Sequence, residues 1–121
     1  MMNGRQSIPD RTKAFALRIV RLSAALPMTR EADVLGRQVL RSGTSVGAQV
    51  REGRRSRSDA EMISKTEGAL QELDETSYWL ELLAEAGIVK PELLADLMRE
   101  ADELTAILVT SAKTLKQRRQ R

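Results

Sequence analysis

Six arginines carry the densest chemistry in this 121-residue chain. Arg37, Arg41, Arg51 and Arg55 fall along one side of a helical projection, and Arg54 and Arg57 continue the cluster into the stretch GRRSR. A guanidinium is a planar fork of donors that can grip a phosphate with two prongs, and a phosphodiester backbone is bound by cations spaced along a surface. RNA or DNA is the partner these residues suit. The competing reading is a solvated face, or ion pairs with carboxylates of the same or another subunit. The only aromatics are Phe15, Tyr78 and Trp79, so stacking on bases is a poor grip here. Binding is expected to run through the backbone, to weaken with salt and to select sequence little.

Other chemistries find less support. Glu67, Glu72, Asp74, Glu75, Glu81 and Glu85 are the carboxylates to test for a helical metal centre. Such centres take inward-facing glutamates, usually with a Glu-x-x-His pair, and the chain has no histidine. Ser42, Thr44 and Ser45 lack the histidine that a serine nucleophile needs. With no cysteine there is neither a disulfide framework nor a thiolate site. The residues offer no catalytic constellation, and no enzyme, cofactor or metal site is expected.

The arginines need a scaffold, and the sequence supplies helices. Leu, Ala, Glu, Lys and Arg are abundant, and the three prolines stand at 9, 27 and 91. A first helix is expected from about Arg11 to Leu26, with the stripe Phe15, Ile19, Leu22, Leu26. A second follows the N-cap Thr29 and runs to about Glu52, closed by Gly53. It has an apolar stripe of Leu35, Val39, Val46 and Val50. It also has a nearly bare line of Gly36, Leu40, Gly43 and Gly47 that suits close packing of another helix. Ser58 with Glu61 forms a capping-box signature for a third helix to about Ala86. Its seam is Ile63, Thr66, Leu70, Leu73, Ser77, Leu80 and Ala84. Pro91 opens a fourth, with Leu94, Leu97, Ala101, Leu104, Leu108, Ala112 and Leu115 at threes and fours.

The expectation is an all-α, antiparallel up-down four-helix bundle over residues 11–116. Residues 1–10 are expected as a flexible N-terminal segment and 117–121 as a frayed basic tail. Charge is segregated. Residues 1–57 hold 12 Lys/Arg against 4 Asp/Glu, 58–110 hold 3 against 13, and 111–121 hold 5 with no acid. The C-terminal cluster is either a solubilising tail or an addition to the binding surface. Late in the third helix, Trp79, Leu82 and Leu83 spread apolar character beyond one stripe, which marks them as an oligomer-interface candidate. No signal-peptide core or membrane span is evident, so a cytoplasmic protein with no membrane association is expected.

The stretch Gln38-Val39-Leu40-Arg41-Ser42-Gly43-Thr44-Ser45-Val46-Gly47-Ala48-Gln49-Val50-Arg51-Glu52-Gly53 resembles a known family. So do Ser56, Ser58 and Asp59, then Glu72, Glu75 and Thr76, and Tyr78-Trp79-Leu80-Glu81-Leu82-Leu83. These are the small bacterial four-helix-bundle proteins first noticed as reading frames in intervening sequences of large-subunit ribosomal RNA. The resemblance covers roughly residues 14–108. It implies a four-helix bundle and a ring-shaped homo-oligomer, since pentamers are known in the family. A related group serves diversity-generating retroelements as an accessory protein, a basic pentamer that binds nucleic acid and a reverse transcriptase. Most other members have no assigned activity. The family usually has Asn where this chain has Gln49. A polar network of Ser45, Gln49 and Glu52 would therefore have to be closed by a longer arm. The alternative to nucleic-acid binding is a structural oligomer that docks a protein partner.

Overall fold

The computed structural model describes residues 6–120, and among these every regular element is a helix. In chain order they are α1 (Ile8–Ala24), α2 (Arg30–Arg54), α3 (Asp59–Glu85) and α4 (Pro91–Arg119). Each helix packs on the next in sequence, and α1 meets α4 over a shorter stretch. The result is the antiparallel up-down bundle that short connections between amphipathic helices favour. No helix among the described residues is long and apolar enough to cross a membrane.

Local chemistry explains the boundaries. The Ser7 hydroxyl accepts from the Asp10 N–H at 3.2 Å, so α1 begins at Ile8 rather than near Arg11. The expected N-terminal segment loses Ile8–Asp10 to the helix, and its residues 1–5 lie outside the described residues. Thr29 caps α2 through the Ala32 N–H at 3.1 Å, and Ser58 caps α3 through the Glu61 N–H at 3.1 Å. Gly53 does not close α2. It is buried within the helix, and the ladder runs on to Arg54. The left-handed glycine is Gly87, at φ 74° after α3. At the other terminus α4 continues to Arg119. The expected tail is thus helical over Gln117–Arg119, and Arg121 lies outside the described residues.

The core is aliphatic around one aromatic. Phe15, Ile19, Val39, Val46, Leu73, Leu80, Leu94 and Leu104 are almost fully excluded from solvent. All seven stripe residues of α4 are buried. On α3 the buried line is Thr66, Ala69, Leu73, Thr76, Leu80 and Leu83. It is turned from the expected seam because α3 packs against both α2 and α4. Leu83 is therefore a core residue with 0% exposure, not part of a surface available to another subunit. One polar contact sits inside the core. The Ser42 and Thr76 hydroxyls, both buried, lie 2.8 Å apart across the α2–α3 interface.

The nearly bare line of α2 receives α1. A Cβ added at Gly43 would lie 2.8 Å from Ile19 Cγ1, and one at Gly36 would lie 2.8 Å from Leu26 Cδ1. The short α1–α4 seam is tied by Arg11, which donates to Glu100 at 2.6 Å and to Glu103 at 3.0 Å. The Glu100 hydrogen bond, helped by Glu103, raises the Arg11 pKa against the opposing effect of partial burial.

Candidate nucleic-acid interface

Antiparallel succession decides which charges meet. The start of α1, the end of α2, the start of α3 and the end of α4 share one pole of the bundle. A cavity of about 120 Å³ marks the meeting point, lined by Ile8 of α1, Val50 and Arg54 of α2, Met62 of α3 and Leu115 of α4, among others. The basic stretch 51–57 and the basic end of α4, far apart in sequence, are thereby brought to one end of the molecule.

The pole contains cations in two conditions. Some are paired across helices. Arg118 donates to Asp59 through Nε at 3.0 Å and Nη2 at 2.7 Å. Lys116 reaches Glu67 at 2.7 Å, and Lys65 reaches Glu52 at 2.8 Å. The Arg118 hydrogen bond holds the Asp59 carboxyl below the usual carboxylate range, and the same contact raises Arg118. The others are exposed and have no carboxylate within salt-bridge distance among the described residues: Lys13, Arg51, Arg54, Arg55, Arg57, Lys113 and Arg119. Asp10 and Glu61 are also there, each in the first turn of a helix whose dipole favours an anion. The Glu61 carboxylate in addition accepts the Arg57 N–H at 3.0 Å.

The six arginines do not act as one stripe. Arg37 pairs with Asp33 one turn away at 3.2 Å. Arg41 spans to α3, 3.3 Å from Glu72 and 2.5 Å from Glu75. These two follow the ion-pair reading, and both stand away from the basic pole. Arg51, Arg54, Arg55 and Arg57 are at the pole and unpaired. Lys13 belongs with them and was not singled out by spacing, because it comes from another helix. The α1–α2 contact of Gly47 with Thr12 places it beside Arg51 and Arg55.

The other expected sites separate similarly. Trp79 is half-buried and packs against the core, and Leu82 is half-buried. The exposed Tyr78 ring meets Trp79 edge-on, with centroids 5.1 Å apart and planes at 61°. The Trp79 indole Nε1 is buried with no acceptor among the described residues. Ser45, Gln49 and Glu52 do not form a network. Ser45 donates to the Arg41 carbonyl at 2.8 Å, and Glu52 is held by Lys65. The Gln49 carboxamide is laid against Gly68, where an added Cβ would be 3.0 Å away. The longer side chain extends across to α3 instead of folding back along α2. The carboxylates considered for metal binding are dispersed. Among the described residues, no three potential ligands converge on a common point.

Comparison with known proteins agrees with this architecture. The profile of the 23S rRNA-intervening sequence protein family matches residues 6–110. The chain is also similar to a protein of unknown function from the S23 ribosomal protein family of Bacteroides thetaiotaomicron VPI-5482, whose crystal structure was determined at 1.70 Å. The two share 36% identity with a TM-score of 0.84, over 88% of this chain and 99% of that one. No match was found among curated proteins.

Proposed function

The chain belongs to the 23S rRNA-intervening sequence protein family, and from that premise we propose that it is a non-enzymatic accessory protein that binds RNA or DNA through its basic pole. The observation that carries this reading is the convergence of two basic segments at one end of the bundle, with seven cations there that have no ion-pair partner among the described residues. Protein carboxylates neutralise Arg37 and Arg41 locally, whereas the charge at the pole is available to an external polyanion. Exposed arginines on a rigid helix end contact phosphates without reading bases. Self-association would place several poles side by side and multiply modest contacts into avidity.

The test is fluorescence anisotropy with labelled structured RNA and labelled duplex DNA, at low and near-physiological salt. Wild type should bind, with affinity falling steeply as salt rises. Changing Arg51, Arg54, Arg55 and Arg57 together to Gln should abolish binding while leaving helicity and oligomeric state unchanged. Failure of wild type to bind either polymer at low salt refutes the reading.

A second reading is favoured by Trp79, whose buried indole N–H lacks an acceptor among the described residues, next to an exposed tyrosine. On this reading copies associate through Trp79, Tyr78 and Leu82, as a ring such as a pentamer, and the assembly docks a protein partner. Light scattering on Trp79→Ala separates the two readings. A fall in mass without loss of nucleic-acid affinity per subunit would assign this face to assembly alone.

A further inference from the structure

The unpaired cations at the pole do not all lie on a convex surface. Between α1 and α2 runs an open groove of about 500 Å³. Its lining carries Lys13 from α1, Arg51 from α2 and Arg55 just past the end of α2, together with the small residues Ala16, Gly47 and Ala48. The groove is open there because Ala16, Gly47 and Ala48 have no side chain beyond Cβ. Farther along the same pair of helices the valley is filled where Ile19 packs on Gly43. A second opening lies beyond that filled stretch, at the other end of the helix pair, but Asp33 is in its lining and already pairs with Arg37, its one cation.

Its charge is unbalanced. The one carboxylate in the lining is Glu52, and Lys65 already holds it at 2.8 Å from outside the groove. The Thr44 hydroxyl at the far end donates to the Leu40 carbonyl at 2.7 Å and so belongs to its own helix. The cationic groups of Lys13, Arg51 and Arg55 have no ion-pair partner among the described residues. No aromatic lines the groove, so a base would find no stacking partner there. A phosphate with its sugar matches these features. The anion would meet ammonium and guanidinium donors on both walls, and the sugar could lie on the small-residue floor.

We infer that the α1–α2 groove seats a backbone phosphate of the bound nucleic acid, with Lys13 on one wall and Arg51 and Arg55 on the other. This rests on the nucleic-acid reading above and adds a defined seat to it. Arg54, at the end of α2, and Arg57, in the loop after it, would then contact neighbouring phosphates outside the groove.

Two variants test the seat without touching the loop. Ala48→Leu fills the floor with no change in charge, at an exposed helical position. Lys13→Gln removes one wall cation. Lys90→Gln makes the same charge change at the opposite pole, and Ala106→Leu makes the same size change on an exposed part of α4. Affinity for a labelled RNA oligonucleotide is measured across a salt series, with thermal unfolding by circular dichroism as the folding control. Both groove variants should weaken binding about three- to tenfold, and each should reduce the slope of log affinity against log salt by about one. The Lys90 and Ala106 variants should match wild type. The Ala48 result is the sharper one, because a substitution that removes no charge should lower the salt slope when it keeps a phosphate out of the groove.

Wild-type behaviour of Ala48→Leu, alongside loss of binding in the four-arginine variant, would overturn the groove and leave the basic pole standing. Loss in Ala48→Leu without loss in Lys13→Gln also overturns it, since the seat needs both walls. Displacement of the oligonucleotide by a mononucleotide, where sodium chloride of equal ionic strength fails, would reassign the groove to a free nucleotide. If wild type binds no polymer at all, the groove and the wider reading fall together.

Discussion

At Gly43 the neighbour that an added methyl would strike is Ile19, fully buried and β-branched, at 2.8 and 2.9 Å from two of its carbons. Ile19 has no free space to move into, so Gly43→Ala should destabilise by about 1–3 kcal/mol despite the gain in helix propensity. At Gly36 the contact is the terminal methyl of Leu26, a half-buried side chain at the open end of α1. That methyl can swing aside, so Gly36→Ala should be neutral or stabilising by up to about 1 kcal/mol. Urea titration of both variants checks the contrast, and equal effects would show that the two glycines are not distinguished by packing. The Ser42–Thr76 contact makes a different demand. Thr76→Val should cost about 1–2 kcal/mol, because it leaves the buried Ser42 hydroxyl with only the Val39 carbonyl at 3.5 Å. Adding Ser42→Ala should then cost less than it does alone, as a double-mutant cycle would show. Residue identities did not reveal this pair, since two short hydroxyl residues 34 positions apart carry no periodic signal.

Among the elements, α4 was legible to the last turn of its stripe, because its apolar residues recur without interruption at threes and fours. α3 was less so. It is covered by two neighbours, its apolar surface is wide, and periodicity alone does not say which of Ser77 or Thr76, or of Ala84 or Leu83, turns inward. The pairing of element ends has its own pH dependence. The first turn of α3 is fastened to the last turn of α4 by Asp59 and Arg118, and Asp59 titrates below its ordinary range because it is hydrogen-bonded to that cation. Its folded-state pKa is depressed, so the fastening is at full strength above the unfolded value of about 3.9 and disappears as pH falls through the lower folded value. Hydrogen exchange in the last two turns of α4 should therefore accelerate, beyond the intrinsic rate, in that acid window. Asp59→Asn should show the faster exchange already at neutral pH and lose the acid step. At the opposite seam, Arg11→Gln should cost about 1 kcal/mol, as a partly exposed ion pair does. Its effect should be concentrated in the short α1–α4 contact.

For the whole molecule, the sequence showed the charge segregation as three consecutive blocks, and the fold turns it into two poles. Linear reading located 51–57 and the C-terminal cluster separately and left open whether they cooperate. Up-down topology places them together. It also adds Lys13, which lies off the apolar stripe of α1 and is invisible as a site until α1 is laid antiparallel to α2. The polar network expected from family resemblance was not legible in the same way, because residue types along α2 do not say that the Gln49 carboxamide is laid against Gly68 of α3. The carboxylates Glu81, Glu85 and Glu92 lie toward the other pole with no cation in reach among the described residues. A body with opposite charge at its two ends experiences a torque in an external field as well as a pull. On the nucleic-acid reading, such a bundle would turn before it touches a polyanion, and would arrive with the α2–α3 loop and the tip of α4 leading. Copies landing on one strand would then all face the same way, with their α1–α2 and α3–α4 turns outward. That uniform outer layer would be a surface which separate copies, tumbling at random in solution, do not present together.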